Sequence, residues 1–213
     1  MDLTDEAARV LGALLEKERT VPDTYPMTLK GLLSACNQSS SRWPVVAYDE
    51  ATVQRVLDQL KIDGYVRFVH PSHGERSTKF RQVLDERLGL EKDEAAVVCV
   101  LLLRGPQTAG ELRARTDRLH PFDSTGEVEE VLRRLAAREE PLARLLERRP
   151  GEREARWVHL LSGEPDLASL ELAAPAASAP RNDGRAATNE LEARVVALEA
   201  KVARLYELLG EAE

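Results

Sequence analysis

The chain has 213 residues, 43% of them hydrophobic and 31% charged, with a net charge of −7, the make-up of a globular protein of one or two domains. Its longest apolar run, Ala95–Leu103, falls well short of the roughly twenty residues that cross a bilayer. The acidic opening Met1-Asp2-Leu3-Thr4-Asp5-Glu6 is unlike a secretory signal, so the sequence points to a cytoplasmic protein without membrane partners. Cys36 and Cys99 each sit inside an apolar stretch and read as buried thiols of a reducing compartment rather than a disulfide. The charge is uneven: residues 1–85 and 86–163 are each at −1, and residues 164–213 carry −5. No segment is basic as a whole, which counts against a dedicated nucleic-acid binder.

The first element is a helix opening at Thr4-Asp5-Glu6-Ala7-Ala8-Arg9-Val10, with apolar positions continuing through Leu11, Leu14 and Leu15. Thr28 is placed to cap a short second helix over Leu29–Leu33. A third helix carries Val53, Val56, Leu57 and Leu60, an i, i+3, i+4, i+7 stripe the width of one core-facing side. It runs into a strand at Tyr65–Val69, a turn through His73-Gly74-Glu75-Arg76 and a strand at Thr78–Val83.

The same order then repeats. Lys92-Asp93-Glu94-Ala95-Ala96-Val97-Val98 matches the opening helix at an offset of 88. Thr108 caps a second short helix, Ser124-Thr125-Gly126-Glu127 has the spacing of a capping box, and Val128, Val131, Leu132 and Leu135 repeat the third stripe. Leu142–Leu146 and Ala155–Leu160 flank a second turn, whose Gly151-Glu152-Arg153 echoes Gly74-Glu75-Arg76. Three helices and a hairpin are the order of a winged helix-turn-helix. The expected fold class is therefore mostly α with small β hairpins (α+β), two tandem winged helix-turn-helix domains at 1–85 and 86–163. Residues 164–189, rich in Ala, Pro and Ser, read as a flexible linker. In residues 190–213, Leu191, Val195, Leu198, Val202, Leu205 and Leu209 recur at alternating spacings of four and three, a heptad seam. This C-terminal helix is expected to pair with a second copy, making a homodimer, or else to dock on the body.

A family resemblance rests on Leu14-Leu15-Glu16-Lys17-Glu18, Thr20–Leu29, Ala35-Cys36-Asn37-Gln38, Ser41-Arg42-Trp43-Pro44-Val45 and Gly74–Phe80. In the second half Leu101–Arg113 and Pro150–Leu160 carry it. With these stretches the chain resembles the YceH-like bacterial proteins, a family of unknown function built from two winged-helix domains. The resemblance covers residues 3–163 in order and implies the fold, but no activity and no catalytic residues.

The motifs of chemistry are missing. His70-Pro71-Ser72-His73 has metal-ligand spacing but no cysteine partner nearby, and reads as a turn with two solvated histidines. There is no phosphate-binding glycine loop and no G-x-S-x-G elbow. The expectation is a non-enzyme without catalytic residues, metal or cofactor. Candidate contacts lie in two places. One is the long connection between the second and third helices, where about eleven residues stand in place of three or four. There Asn37, Gln38 and Arg42 offer hydrogen bonds to bases or to a partner backbone, with Trp43 as an anchor, unless Asn37 and Gln38 cap the helix end and Trp43 covers the core. The other is the pair of hairpins, whose Arg76, Lys79, Arg81, Arg153 and Arg156 are placed either for phosphates or for nearby carboxylates such as Glu75, Glu147, Glu152 and Glu154. The third helices open on Asp49-Glu50 and on Glu127, Glu129 and Glu130, which suit the helix dipole but repel phosphates. Two functions remain open: a DNA-associated regulator touching duplex through its wings, and a protein-interaction scaffold. Bacterial segregation scaffold subunits are similar in their tandem, acidic design, an analogy of fold alone.

Overall fold

Two helices that begin alike lie side by side at the centre of the fold. In the computed structural model, which describes residues 3–70, 77–148 and 151–165, these are α1 (Asp5–Thr20) and α5 (Lys92–Arg104). The Thr4 hydroxyl accepts the Ala7 N–H at 3.2 Å to start α1. A reciprocal box between Glu91 and Glu94 starts α5. Ten successive residues of α5, Glu94–Leu103, are buried, as befits a helix surrounded by protein on every side. The two helices approach closely at Gly12, where a Cβ would stand 2.9 Å from Leu103 Cγ and 3.1 Å from Leu102 Cβ. The Cys99 thiol donates to the Gly12 carbonyl at 3.5 Å across this contact. One continuous core therefore runs through both repeats, from Leu11, Leu14 and Leu15 to Leu101, Leu112 and Leu132.

Around this pair each repeat adds the same parts. In the first, β1 (Met27–Thr28) leads into α2 (Leu29–Cys36), then come α3 (Glu50–Ile62), β2 (Val66–Val69) and β3 (Lys79–Gln82). The sheet is antiparallel in the order β1-β3-β2, with Met27 opposite Phe80 and Val66 opposite Gln82. A short α4 (Leu84–Leu88) links the repeats. The second repeat has α6 (Ala109–Thr116), α7 (Thr125–Ala136), β4 (Ala143–Leu145) and β5 (Trp157–His159). Here Gln107 makes a single bridge to Trp157, just before the Thr108 cap, where Met27 pairs with Phe80 just before the Thr28 cap. The architecture is mixed α+β, with helices in about half of the described residues and small antiparallel sheets.

The stripes read from the sequence face inward: Val53, Val56, Leu57 and Leu60 of α3 and Val128, Val131, Leu132 and Leu135 of α7 are all buried. Thr28 and Thr108 cap α2 and α6 as expected. At α7 the expected capping box is half made. Ser124 accepts the Glu127 N–H at 3.2 Å, but the Glu127 carboxylate takes the N–H of Asp123, one residue further out, at 3.1 Å. A further bond ties one repeat to the other, Leu3 N–H to Leu161 O at 2.8 Å, while Arg138 fastens the end of the second repeat's third helix to the carbonyls of Leu88 and Gly89 and to Glu94. No helix among the described residues is long and apolar enough to cross a membrane.

Candidate interaction surface

The connection from α2 to α3, Asn37 to Asp49, is held in place by side chains that reach it from α1. Arg9 is 3% exposed and donates to Cys36 O at 3.1 Å and Pro44 O at 2.5 Å. Its Nε is buried without a hydrogen-bond partner. Arg42 turns inward, its side chain fully buried, with Nε donating to Ala35 O at 3.0 Å. Its other nitrogens grip the Glu16 carboxylate at 2.6 and 3.1 Å. Burial alone would raise the Glu16 pKa, but the Arg42 bonds and charge outweigh it and hold the carboxyl below its ordinary range. Both guanidiniums thus meet the carbonyl end of α2, where the helix dipole favours cations.

The rest of the connection is equally engaged. The Asn37 side chain closes a two-way bridge with the backbone of Tyr48, at 2.8 and 2.9 Å. Trp43 N–H donates to Leu103 O at 2.8 Å, at the end of α5. Its ring lies so close to Gly105 that a Cβ there would come within 2.6 Å of it, and Gly105 has φ +66°. Arg104 donates to the Ser41 hydroxyl at 2.6 Å. Of the four residues that the sequence suggested as contacts here, Asn37, Arg42 and Trp43 are therefore engaged inside the molecule, and Gln38 is half-buried. Asn37 stands at the C-terminal end of α2 with its backbone N–H bonded to Leu33 O, but its side chain goes to Tyr48, and the Trp43 ring lies against Gly105. Arg9 escaped sequence reading altogether, because the carbonyls that it satisfies are supplied by a segment 27 to 35 residues away.

Four of the hairpin arginines, Arg67, Arg81, Arg144 and Arg156, are also engaged. Arg81 is ion-paired with Glu86 of α4, and Arg67 reaches the same carboxylate at 3.6 Å. Arg156 is half-buried and binds Glu111 of α6 at 2.7 Å, Glu152 at 3.4 Å and the Pro106 carbonyl at 3.2 Å. Arg144 pairs with Glu164. Lys79 is half-buried in β3 between Thr28 and Val69. Arg148 and Arg153 are exposed. Arg76 and the heptad positions Leu191, Val195, Leu198, Val202, Leu205 and Leu209 lie outside the described residues. The exposed first turns of α3 and α7 present Asp49 and Glu50, and Glu127, Glu129 and Glu130. Both thiols are buried, and burial pushes each up to about 12, which leaves them protonated and inert near neutrality.

Residues 3–152 match the family model described as "Protein of unknown function, DUF480". The chain belongs to this family. Among its relatives is a UPF0502 protein of Geobacter sulfurreducens, 46% identical over 95% of this chain and 90% of its own length. Another, of Dechloromonas aromatica, is 47% identical over 95% of this chain and 92% of its own length. A third, of Cellvibrio japonicus, is 43% identical over 98% and 96%. The resemblance to a bacterial family of unknown function, read from the motifs, is borne out.

Proposed function

We propose that the chain is a non-catalytic pair of fused winged-helix modules that binds another protein rather than reading duplex DNA. The winged-helix reading is supported by the element order, three helices followed by an antiparallel hairpin, and by the segment before the second helix bridging to the last strand in each repeat. The observation that carries the functional reading is where the charges go. The helix ends that a winged helix would press into a major groove carry exposed carboxylates. Arg81, Arg144 and Arg156 already face carboxylates of their own chain. Such pairs bring no net positive charge to a phosphate, so little counterion release remains to drive binding.

Duplex contact through the wings is the second reading, favoured by the exposed Arg148 and Arg153. Fluorescence anisotropy of the full chain with random duplexes at about 50 and 200 mM salt separates the two. The protein-binding reading expects no complex at either salt. A complex that weakens steeply with salt, and weakens again in Arg153→Ala, would replace it with the duplex reading. The heptads of 190–213 make a homodimer part of this proposal. Light scattering should give half the mass once those residues are deleted, and an unchanged mass would remove the dimer.

A further inference from the structure

The connection between α2 and α3 combines buried charge with exposed apolar surface. Burying Arg9 against carbonyls alone, with Nε unpaired, is costly, and a turn of three or four residues would join the helices without it. What the arrangement secures is a fixed backbone. Trp43 is bonded to Leu103, Pro44 to Arg9 and Tyr48 to Asn37, so the stretch between them is pinned at both ends. That stretch is Pro44-Val45-Val46-Ala47, in which Pro44 and Ala47 are exposed and Val45 is 61% exposed. A loop held this firmly loses little conformational entropy on binding.

The surroundings select the partner's chemistry. Asp49 and Glu50 stand at the start of α3 immediately after the apolar stretch, and both are exposed. Asp5 and Glu6, in the first turn of α1, lie near enough to Tyr48 to act on its hydroxyl, whose pKa burial raises and these two carboxylates raise further. Glu6 also faces Arg55 of α3 at 3.7 Å, which places the two helix starts together. Even set against Arg9 and Arg55, the four carboxylates leave the border of the apolar tip net negative, which repels phosphates and anionic lipid alike. We propose that Pro44–Ala47 is a preformed knob for an apolar pocket on a protein partner whose rim is lysine and arginine. This rests on the protein-binding reading above and names its surface.

The test uses the full chain with two labelled peptides, one an amphipathic sequence of leucine and lysine, the other the same sequence with glutamate for every lysine. The leucine–lysine peptide should bind, and its amide shift changes should fall on Val45–Glu50, Asp5 and Glu6. Val45→Lys should weaken it by about tenfold or more, the scale of losing a central apolar anchor. Val69→Lys adds the same charge at another exposed valine and should leave affinity unchanged. Val45 is exposed enough for the variant to fold, which a wild-type melting curve would establish. Equal binding of the two peptides, equal losses in the two variants, or shift changes elsewhere overturn the knob and leave the protein-binding reading standing. Salt-steep binding of a random duplex in place of either peptide overturns the reading itself.

Discussion

The two repeats share an element order but connect their second and third helices differently. In the first, Asn37 to Asp49 is fastened by Arg9 and Arg42, both buried. In the second, the shorter link from α6 to α7 is fastened by Arg113, which donates to Phe122 O at 3.3 Å and Asp123 O at 2.9 Å from an exposed position. The device is the same, a guanidinium on loop carbonyls, but only the first copy takes it out of water. Buried polar groups must be satisfied or they cost heavily, so the first connection is fixed in one geometry and the second is only steadied.

That contrast breaks most visibly at Glu16. Glu16→Gln leaves the Arg42 charge buried without its counter-ion and should lower stability by about 3 kcal/mol, read as a lower denaturant midpoint at unchanged slope. A loss under about 1 kcal/mol, the range of an exposed pair, would mean that the pair is hydrated. Next comes Gly105→Ala, which forces a positive φ on a side-chain-bearing residue and drives its Cβ into the Trp43 ring. It should cost about 2 kcal/mol, with a shift in Trp43 fluorescence. Arg113→Ala should cost about 0.5–1 kcal/mol, because water can replace its contacts. A loss equal to that of Glu16→Gln would erase the difference between the two connections.

Acid sharpens the comparison in another place. Val66 pairs with Gln82 at the start of β2, and Ala143 pairs with His159 at the start of β4. Gln82 is uncharged and fully bonded, to Glu18, Asp85 and the Leu84 N–H. Burial pushes the His159 imidazole from 6.5 down to about 4, and its Nδ1 has no partner. Because the folded value lies below the unfolded one, the fold holds the neutral ring. That contribution is intact above 6.5 and is lost as pH falls towards 4. His159→Gln, copying the first repeat, should flatten the stability profile over this window. Glu16 has the same sign lower down, since its contribution is present above its unfolded value and lost as pH falls through the lowered folded one.

Much of the fold was legible because it is periodic or local. The buried stripes of α3 and α7 follow helical spacing, and the Thr28, Thr108 and Ser124 caps act within three residues. The strands came out within two residues at either end for the same reason. The shared core did not, since nothing in the spacing of Gly12 announces Leu103 of the next repeat as its neighbour. Nor did β1 and the Gln107–Trp157 bridge, which are too short to carry an alternating pattern. At the candidate surface the misses share one cause. Glu16 and Glu111 are brought to Arg42 and Arg156 by tertiary packing, which no spacing announces. In the hairpins the local alternative holds in part, since Glu152 does pair with Arg156 and Glu86 lies only five residues from Arg81.

The most direct measurement is native-state amide hydrogen exchange across the two connections. In the first, the amides of Trp43 and Tyr48, bonded to Leu103 O at 2.8 Å and to Asn37 Oδ1 at 2.9 Å, should exchange with the core, slowed on the order of a thousandfold or more relative to an open chain. In the second, the amide of Asp123, bonded only to the exposed Glu127 carboxylate, should exchange freely. Fast exchange at Trp43 and Tyr48 would contradict the account, because a connection that opens on its own is neither fixed by Arg9 and Arg42 nor preformed for a partner.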